Sequence, residues 1–476
     1  MLESKAGSKH VMQQTAQKKE LFENMPVPRA IITMAIPTII SQIIILIYNM
    51  ADTFFIGRTG NSLMVAGMSV CYTIVVLTTA FTNLFGIGGG NLVSRLNGRG
   101  EYDKARKFCS MAFWGGLTAA VIYALVILIF MEPFLYALGA SANTIGYAKQ
   151  YTTIVVVAGA IPNVMSVVLA QLLRTVGYSK QASYGLSGGG ILNIILDPLF
   201  MFVIFPAGNE IAGAAVATLL SNTLSCLFLL WMFFRVSKKA TLSADPRRLR
   251  EMSSKDAGLL LKTGFPSALL FALFDVSNMF LFSIMSKHGD LAVAAIGIVI
   301  KIERIPNQIG IGIAQSLSPL VAYNLGSGNL PRMKKFISTG RIYGIVMTLC
   351  CILIYQLFAG PFCGFFMSTR VGDVEKSLAT IALATVFLRF RCCASPMMYL
   401  NYHSSYCLQA MGGVKGAVIH TIIRIIVVTI PLMFLMDHLW GAYGLSASLV
   451  AAETISAVVA VLILQKHINK IHASKV

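Results

Sequence analysis

The sequence predicts an all-α integral membrane protein with twelve transmembrane helices in two pseudo-symmetric lobes of six. Three observations carry this prediction: an apolar composition, the spacing of the apolar stretches and a repeat between the two halves. Of 476 residues, 56% are hydrophobic and 12% are charged, about half the usual charged share of roughly 25%. This composition excludes a disordered chain. It also argues against an ordinary soluble enzyme, whose surface needs more charge.

Twelve apolar stretches are long enough to cross a bilayer, for which a helix needs roughly 20 residues. Short polar connections separate most of them, so consecutive helices should be antiparallel. Helices satisfy their own backbone hydrogen bonds in lipid, and the runs are too long and too uniformly apolar for strands of a barrel. The stretches are 30–57, 63–90, 108–131, 146–172, 181–205, 211–234, 257–285, 291–320, 336–360, 378–400, 412–436 and 441–465.

The net charge of +19 is unevenly distributed along the chain. If both termini are cytoplasmic, 28 of the 38 Lys and Arg lie in cytoplasmic segments, and four (Arg58, Lys287, Arg370 and Lys376) lie in external loops. This asymmetry follows the positive-inside rule. It predicts a multi-pass protein of the cell membrane with both termini cytoplasmic, and it explains the basicity without nucleic acid. Residues 1–24 lack the apolar core of a cleavable signal peptide.

The most polar internal segment, residues 236–256, divides the twelve stretches into two sets of six. We therefore expect a tail at 1–29, an N-lobe at 30–235, a linker at 236–256, a C-lobe at 257–465 and a tail at 466–476.

The two halves resemble each other in sequence. Pro37 and Pro266 follow the same kind of helix start, and NGRGEYDKARK at 97–107 matches LGSGNLPRMKK at 325–335. Because each half has an even number of spans, both halves enter the membrane in the same direction. Such a parallel repeat is typical of transporters that rock two lobes around a central site.

Two glycine clusters, GIGGG at 86–90 and SGGG at 187–190, interrupt the apolar stretches. A phosphate-binding loop would need a preceding strand and, for the Walker type, a GK[ST] sequence, and neither is found. Close packing of helices in lipid uses small residues in the same way, and we expect that role here.

Five short runs carry a family resemblance. They are Pro37 with DTFFIG at 52–57, GRGEYDKA at 98–105, LNIILDPLF at 192–200, GAAVAT at 213–218 and SPLVAYNLGSGN at 318–329. In this order, and with the twelve spans and the repeat, the chain resembles the multidrug and toxic compound extrusion (MATE) family over residues 20–465. The resemblance implies a V-shaped pair of lobes in a bacterial membrane. It also implies secondary active efflux of cationic, amphipathic organic compounds, driven by inward Na⁺ or H⁺. No further cofactor is implied, and the expected state is a monomer.

Polar residues inside the spans define a candidate ion-coupling site. At 1.5 Å per residue, Asp52, Asp197 and Thr218 lie about 9, 13 and 10 Å below the outer surface, and Asn193 is one turn from Asp197. Such oxygen ligands suit Na⁺, and two buried carboxyl groups can also share a proton. In the family, the residues that match these four and the carbonyl of Ala214 resemble a cation site. The alternative is that Asp52 and Asp197 only cap or bridge helices.

The second half does not repeat the acid pair, because Leu281 and roughly Leu432 stand at the corresponding positions. We therefore expect ion chemistry to be concentrated in the first half. Glu303, within KIERIP at 301–306, could bind a cationic substrate, relay protons or pair with a neighbouring base. Asp275, near the middle of the seventh span, leaves the same alternatives open.

Three arginines, Arg389, Arg391 and Arg424, are more cationic than the family resemblance leads us to expect. Facing a central cavity, they would repel cationic drugs. They could instead pair with Asp275 or Glu303, or extend to the interface. An exporter of an anionic metabolite and a flippase for lipids or lipid-linked sugars therefore remain alternatives. An enzyme is disfavoured, since no nucleophile or metal motif such as HExxH occurs.

Overall fold

The computed structural model describes residues 20–365 and 374–473. These residues form helices joined by short turns, and no strand occurs within those two ranges. The predicted all-α class is therefore confirmed. Arg370, one of the four cations expected in external loops, lies outside the described residues.

Between residues 20 and 237, the described part of the first half contains seven α-helices, because its fourth apolar stretch is divided. They are α1 (Val27–Arg58), α2 (Ser62–Gly98), α3 (Tyr102–Ala137), α4 (Ile145–Thr152), α5 (Ala160–Thr175), α6 (Ser179–Leu199) and α7 (Glu210–Ser237). Short π-helical segments follow α4 and α6, at Thr153–Ala158 and Phe200–Ile204. Local chemistry fixes the α1–α2 turn. Gly60 supplies a positive φ of 72°, and the Asn61 side chain accepts the amide of Leu63 at 3.0 Å, as an N-cap does.

The second half follows a 3₁₀ turn at Pro246–Glu251 in the linker. Its α-helices are α8 (Ser254–Met285), α9 (Asp290–Gly326), α10 (Leu330–Phe365), α11 (Val374–Cys392), α12 (Ser395–Ala410), α13 (Val414–Ile422) and α14 (Ile430–Ala473). A π-helical segment, Ile423–Thr429, joins α13 to α14. The turn before α9 contains Gly289 with φ 90°, the counterpart of Gly60 in the first half.

The helices account for the twelve predicted stretches. Among the residues that the structure describes, eight helical runs are long and apolar enough to cross a membrane, or ten if each of two bent pairs is one span. The 37-residue helix α9 covers the predicted eighth stretch. The run Val414–Ala473 has 60 residues, about 90 Å of helix, which is three times the hydrocarbon thickness of about 30 Å. It is broken at Trp440 and Gly441, so it holds two spans.

The chain divides into two compact units. The first unit is Met1–Ala268 with Ala322–Asn329, and the second is Leu269–Val321 with Leu330–Val476. The C-terminal end of α9 therefore belongs to the first unit, where the segment Glu20–Asn24 packs on it. Phe22 stacks on Tyr323 at 4.8 Å between ring centroids, and the Tyr323 hydroxyl donates to Glu23 at 2.6 Å.

The linker lies against the start of α3 in the first unit. The Trp114 indole donates to the Ala244 carbonyl at 2.9 Å, and Arg248 pairs with Asp103 at 2.7 Å. The predicted separator of the two halves is thus fastened to one of them.

The internal repeat is visible in the helix geometry of each half. Phe130 in α3 and Phe358 in α10 both leave the helical range of dihedrals, with φ −106° and −116°. They are 228 residues apart, and each lies three residues before a proline (Pro133 and Pro361). Proline cannot donate to the preceding turn and clashes with it, so the same local sequence breaks the helix in both halves. The two bent pairs match as well, with angles of 46° in α4–α5 and 45° in α11–α12.

The glycine clusters pack helices closely, as the sequence predicted. A Cβ on Gly88 would lie 2.8 Å from the Gly264 nitrogen, and one on Gly189 would lie 2.7 Å from the Ser225 Cβ. Real Cβ atoms essentially never make contacts below 3.0 Å, so α2 meets α8, and α6 meets α7, only because these residues are glycine.

We expect Gly189→Ala to destabilise the first unit, because its new methyl group collides with Ser225 on α7. Overpacking of this kind costs about 1–3 kcal/mol, and a thermal-unfolding midpoint in detergent measures it. Gly188→Ala is the matched control, since a Cβ there meets nothing within 4 Å and alanine favours a helix. Equal midpoints for the two variants would contradict this account of the cluster.

Candidate functional site

The structure brings the predicted ion-coupling side chains together inside the first unit. Asp52 on α1 is 4% exposed, Asn193 and Asp197 on α6 are 2% and 0% exposed, and Thr218 on α7 is 6% exposed. The Asn193 amide donates to Asp197 Oδ1 at 3.0 Å and to the Thr218 hydroxyl at 3.2 Å. The Asp52 carboxyl lies close enough to Asp197 and Asn193 to interact with both side chains. We call these four residues the acid cluster.

Close helix contacts position the acid cluster. Gly189 admits α7 to the surface of α6, and Gly190 admits α1, since a Cβ on Gly190 would lie 2.8 Å from Ile44 and 3.0 Å from Tyr48. One helical turn further along α1 stands Asp52, four residues after Tyr48. Side chains three or four residues apart share a helix face. The close approach of α1 to α6 at the glycine cluster therefore places Asp52 next to Asp197.

The backbone beside Asp197 is also irregular. Pro198 cannot donate to the carbonyl of Ile194, four residues earlier. A π-helical segment, Phe200–Ile204, follows directly, and such segments often occur at functional sites. Ala214 is buried one turn before Thr218 on α7, so its carbonyl lies on the face that carries Thr218.

The acid cluster has more acceptors than donors. Asp52 Oδ1, Asn193 Oδ1 and Asp197 Oδ2 are buried and have no hydrogen-bond partner among the described residues. Buried polar atoms are nearly always satisfied, and a carboxylate in an apolar interior costs several kcal/mol unless it is paired. Three orphaned oxygens at one point therefore call for a cation or a proton.

Sodium is chemically compatible with this arrangement. No group of three His, Cys, Asp or Glu side chains that could hold a metal ion occurs in the described parts of the chain. A metal here would instead be held by two carboxylates, a carboxamide oxygen and a hydroxyl, the hard oxygen ligands that such cations prefer.

Tyr151 is a neighbour of the acid cluster that the sequence analysis did not identify. It is 5% exposed, on α4, and it interacts electrostatically with both Asp52 and Asp197. The adjacent Thr152 donates to Cys71 at 3.2 Å. The only sequence signal was a tyrosine beside two threonines in an otherwise apolar span, which is too common to single out.

In the second unit, Glu303 forms a buried ion pair with Arg391. Arg391 Nε and Nη2 each donate to one carboxylate oxygen at 2.7 Å, and the two side chains are 8% and 3% exposed. The sequence left a nearby base and a distant arginine open as partners. The structure gives a bidentate pair between α9 and α11, the strong geometry for arginine and carboxylate.

A second buried pair, Arg424 with Glu453, joins the segment after α13 to α14. Arg424 donates to Glu453 Oε1 through Nη2 at 2.9 Å and through Nε at 3.1 Å. Asn401 donates to the other carboxylate oxygen at 2.6 Å, and His420 Nε2 lies 2.9 Å from the side-chain amide oxygen of Asn401. Glu453 was missed by the sequence analysis, although an acid inside the twelfth span is a functional or paired residue by default.

The remaining charges of the second unit are less enclosed. Asp275 is half-buried, and its carboxyl interacts electrostatically with the Arg304 guanidinium. Arg389 and Lys301 are exposed, as expected of side chains that extend towards an interface.

Both ion pairs line one small cavity in the second unit. Its space, about 10 Å³, is about what one water-sized ligand needs. The other lining residues include Phe274, Ser277, Asn278, Met398 and Thr429.

Comparison with known proteins covers most of the chain. The family model described as MatE matches residues 37–199 and 266–435. The protein named Multidrug export protein MepA from Staphylococcus saprophyticus is 30% identical over 443 residues, covering 93% of this chain and 94% of that protein. The protein of the same name from Staphylococcus aureus is 29% identical over 446 residues, with the same coverage.

Solved structures show the same fold. A structure described as MATE in complex with MaL6 has a TM-score of 0.89 at 21% identity, covering 96% of this chain and 99% of that chain. A transporter of the MOP superfamily from Pyrococcus furiosus, described as having a binding pocket of reversed polarity, has a TM-score of 0.87 at 20% identity, covering 96% and 98%. MATE structures have twelve helices in two lobes, as the sequence predicted.

We expect Glu453→Gln to lower the thermal midpoint strongly, because it leaves Arg424 charged and unpaired in the interior. Breaking a buried pair in this way costs about 3–5 kcal/mol. The control is Glu132→Gln, which removes a pair with Lys149 whose side chains are 54% and 40% exposed and which should cost at most about 1 kcal/mol. A Glu453→Gln protein as stable as this control would contradict the predicted cost of leaving Arg424 unpaired.

Proposed function

The chain belongs to the MatE family of multi-pass membrane transporters, and we propose that it is a secondary active multidrug exporter. It exchanges cationic, amphipathic organic compounds for inward-moving Na⁺ or H⁺ by alternating access. It acts as a monomer in the cell membrane of a bacterium, with both termini cytoplasmic. Two bacterial relatives named as multidrug export proteins over nearly the whole chain support the export of drugs. The protein is not an enzyme.

The acid cluster is the single observation that carries ion coupling. Two carboxyl groups within reach of each other and three unpartnered oxygens are stable in lipid only when a cation or proton neutralises them. The site is therefore occupied when α1, α6 and α7 are packed as the structure has them. When the ion leaves, repulsion between Asp52 and Asp197 favours a different arrangement of these helices.

Coupling requires that the ion bind the two arrangements with different affinity, since a ligand shifts an equilibrium only by its differential affinity. A closely packed acid cluster binds the ion tightly, and a spread one binds it weakly. Asn193 contributes by bridging α6 to Thr218 on α7. Ion binding at the acid cluster therefore affects the contacts of three helices, α1, α6 and α7. Asp275, Glu303 and Arg391 are the candidates for binding substrate or relaying protons, and Asp275, which is half-buried, is the most accessible of the three.

The buried arginines do not stand in the way of a cationic substrate. Arg391 and Arg424 are each neutralised by a carboxylate. They therefore lack the uncompensated charge on which the alternatives of a flippase or an exporter of anions depended.

We expect Asp197→Asn to abolish energised efflux of a fluorescent cationic dye from cells that express the protein. The amide has no charge for an ion to neutralise, so the driving gradient loses its effect. Asp52→Asn should behave alike, and Glu132→Gln at the exposed pair should transport normally at equal membrane abundance.

Two further conditions identify the driving ion. Sensitivity to a protonophore at constant Na⁺ indicates H⁺, whereas dependence on external Na⁺ with the protonophore present indicates Na⁺. Normal efflux by both Asp variants would contradict the assigned site. No efflux of any cation by the abundant native protein would contradict drug export itself.

A further inference from the structure

A short N-terminal segment of the first unit packs between a turn and a helix end. The segment, Glu20–Asn24, is one π-helical turn, and its Leu21 and Phe22 side chains are 8% and 2% exposed. On one side lies the turn between α5 and α6, where a Cβ on Gly177 would be 3.1 Å from Leu21 and 3.5 Å from Phe22. On the other side lies the end of α9. We call this segment the arm.

The arm is bonded to the end of α9 through both its main chain and its side chains. The Phe22 ring stacks on Tyr323 at 4.8 Å, and the Tyr323 hydroxyl donates to Glu23 at 2.6 Å. Asn324, which is 0% exposed, donates to the Phe22 carbonyl at 3.2 Å. Directional bonds of this kind fix one position of the arm, so its docking is more specific than an apolar contact.

The same helix end touches α2 backbone to backbone. A Cβ on Gly326 would lie 2.1 Å from the Arg95 carbonyl oxygen, and one on Gly98 would lie 2.1 Å from the Tyr323 carbonyl oxygen. The two glycines are 228 residues apart and occupy the same position in the repeated sequences 97–107 and 325–335. Each half thus supplies one glycine to the crossing, and nothing passes between the two helix ends while they touch.

The place of this helix end in the chain gives the contact a mechanical role. The residues of α9 up to Val321 belong to the second unit, and Ala322–Asn329 belong to the first. A movement of the second unit's spans therefore has to bend α9 or pull its end away from α2 and the arm. With both termini cytoplasmic, as the charge asymmetry predicts, this end lies on the side from which an exported compound enters.

The arm can leave its position without unfolding α1. Pro26, with φ −49° and ψ 132°, separates the two as extended backbone. The helix α1 is fastened to α6 on its own, since the Ser179 hydroxyl donates to the Met34 carbonyl at 2.9 Å. Short terminal segments belong to the parts of a protein that open at least cost, so a docked and an undocked arm are both accessible.

We propose that the arm is a latch on the cytoplasmic entrance. Docked, it holds the end of α9 against α2 and keeps the entrance shut. Undocked, it allows the end of α9 to leave α2, and a substrate enters. The proposal rests on the alternating access of the proposed function, and it needs neither a particular substrate nor a particular ion.

Distances between spin labels test the latch without transport. One label is attached at Glu20→Cys on the arm and the other at Asn329→Cys after α9, both exposed positions. The exposed thiols of Cys350 and Cys393 are removed by substitution with serine. In liposomes, with and without Na⁺, we expect two populations of distances, a short one for the docked arm and a longer one for the undocked arm.

A tyrosine variant shows whether the docking contacts set these populations. Tyr323→Phe loses the hydrogen bond to Glu23 and keeps the ring, so the longer population should grow. Tyr184→Phe is the matched control, because this tyrosine is 66% exposed, and its distances should equal those of the native sequence. A single short distance in all these proteins would overturn the proposal.

A reversible link tests whether the arm has to undock during transport. Glu23→Cys with Tyr323→Cys is joined by a reducible bifunctional thiol reagent, which fixes the arm on α9. Efflux of a cationic dye should stop on linking and return on reduction, while each single-cysteine variant treated alike should be unaffected. A purely structural arm would tolerate the link, so continued efflux by the linked protein would overturn the latch. Absence of efflux before linking would instead contradict drug export, and the label distances then decide the latch alone.

Discussion

Two neighbouring carboxyl groups, deep in an apolar bundle, constrain the helices packed around them. Asp52 and Asp197 cannot both be charged there without a counterion, since mutual repulsion and desolvation act together. The surrounding helices can hold the two acids together only through contacts made elsewhere. Gly189 and Gly190 provide them, because each lets a neighbouring helix approach α6 more closely than any side chain allows. In the function we propose, the energetic cost of the acid pair and the packing that enforces it make the site responsive to a small cation.

The second unit contains buried carboxylates too, but it neutralises them from within. Glu303 and Glu453 each have an arginine partner, so neither needs an ion from solution. The two units thus share a repeat, down to matching helix breaks at Phe130 and Phe358, while their interiors differ chemically. In the function we propose, the acid pair gains and loses a cation, and the packing of its helices changes with it. An acid with a bidentate arginine is instead a fixed connection between helices. This division explains why we assign coupling to the first unit.

Much of this could be predicted from the sequence, for identifiable reasons. Acids inside apolar spans are rare, and the four-residue spacing of Asn193 and Asp197 fixes a common face, so the acid cluster was found. The role of the glycine clusters followed from the absence of any phosphate-binding context. The partner of Glu303 could not be predicted, because Arg391 is 88 residues away and only tertiary packing selects it. Glu453 could have been identified from the sequence, because it is an acid within a predicted span. Tyr151 could not, because a tyrosine beside two threonines is common in such spans. The breaks before Pro133 and Pro361 depend on local geometry that span prediction does not address.

The most direct test of the account is to count the ions that substrate displaces from the purified protein. A cationic dye is added in weak buffer, and released protons and displaced radioactive Na⁺ are measured against the amount of dye bound. The account predicts that the native protein releases one of these ions as the dye binds, and that the Asp52→Asn, Asp197→Asn double variant releases neither while still binding dye. Equal release from the native protein and this variant would contradict the claim that these two acids hold the driving ion.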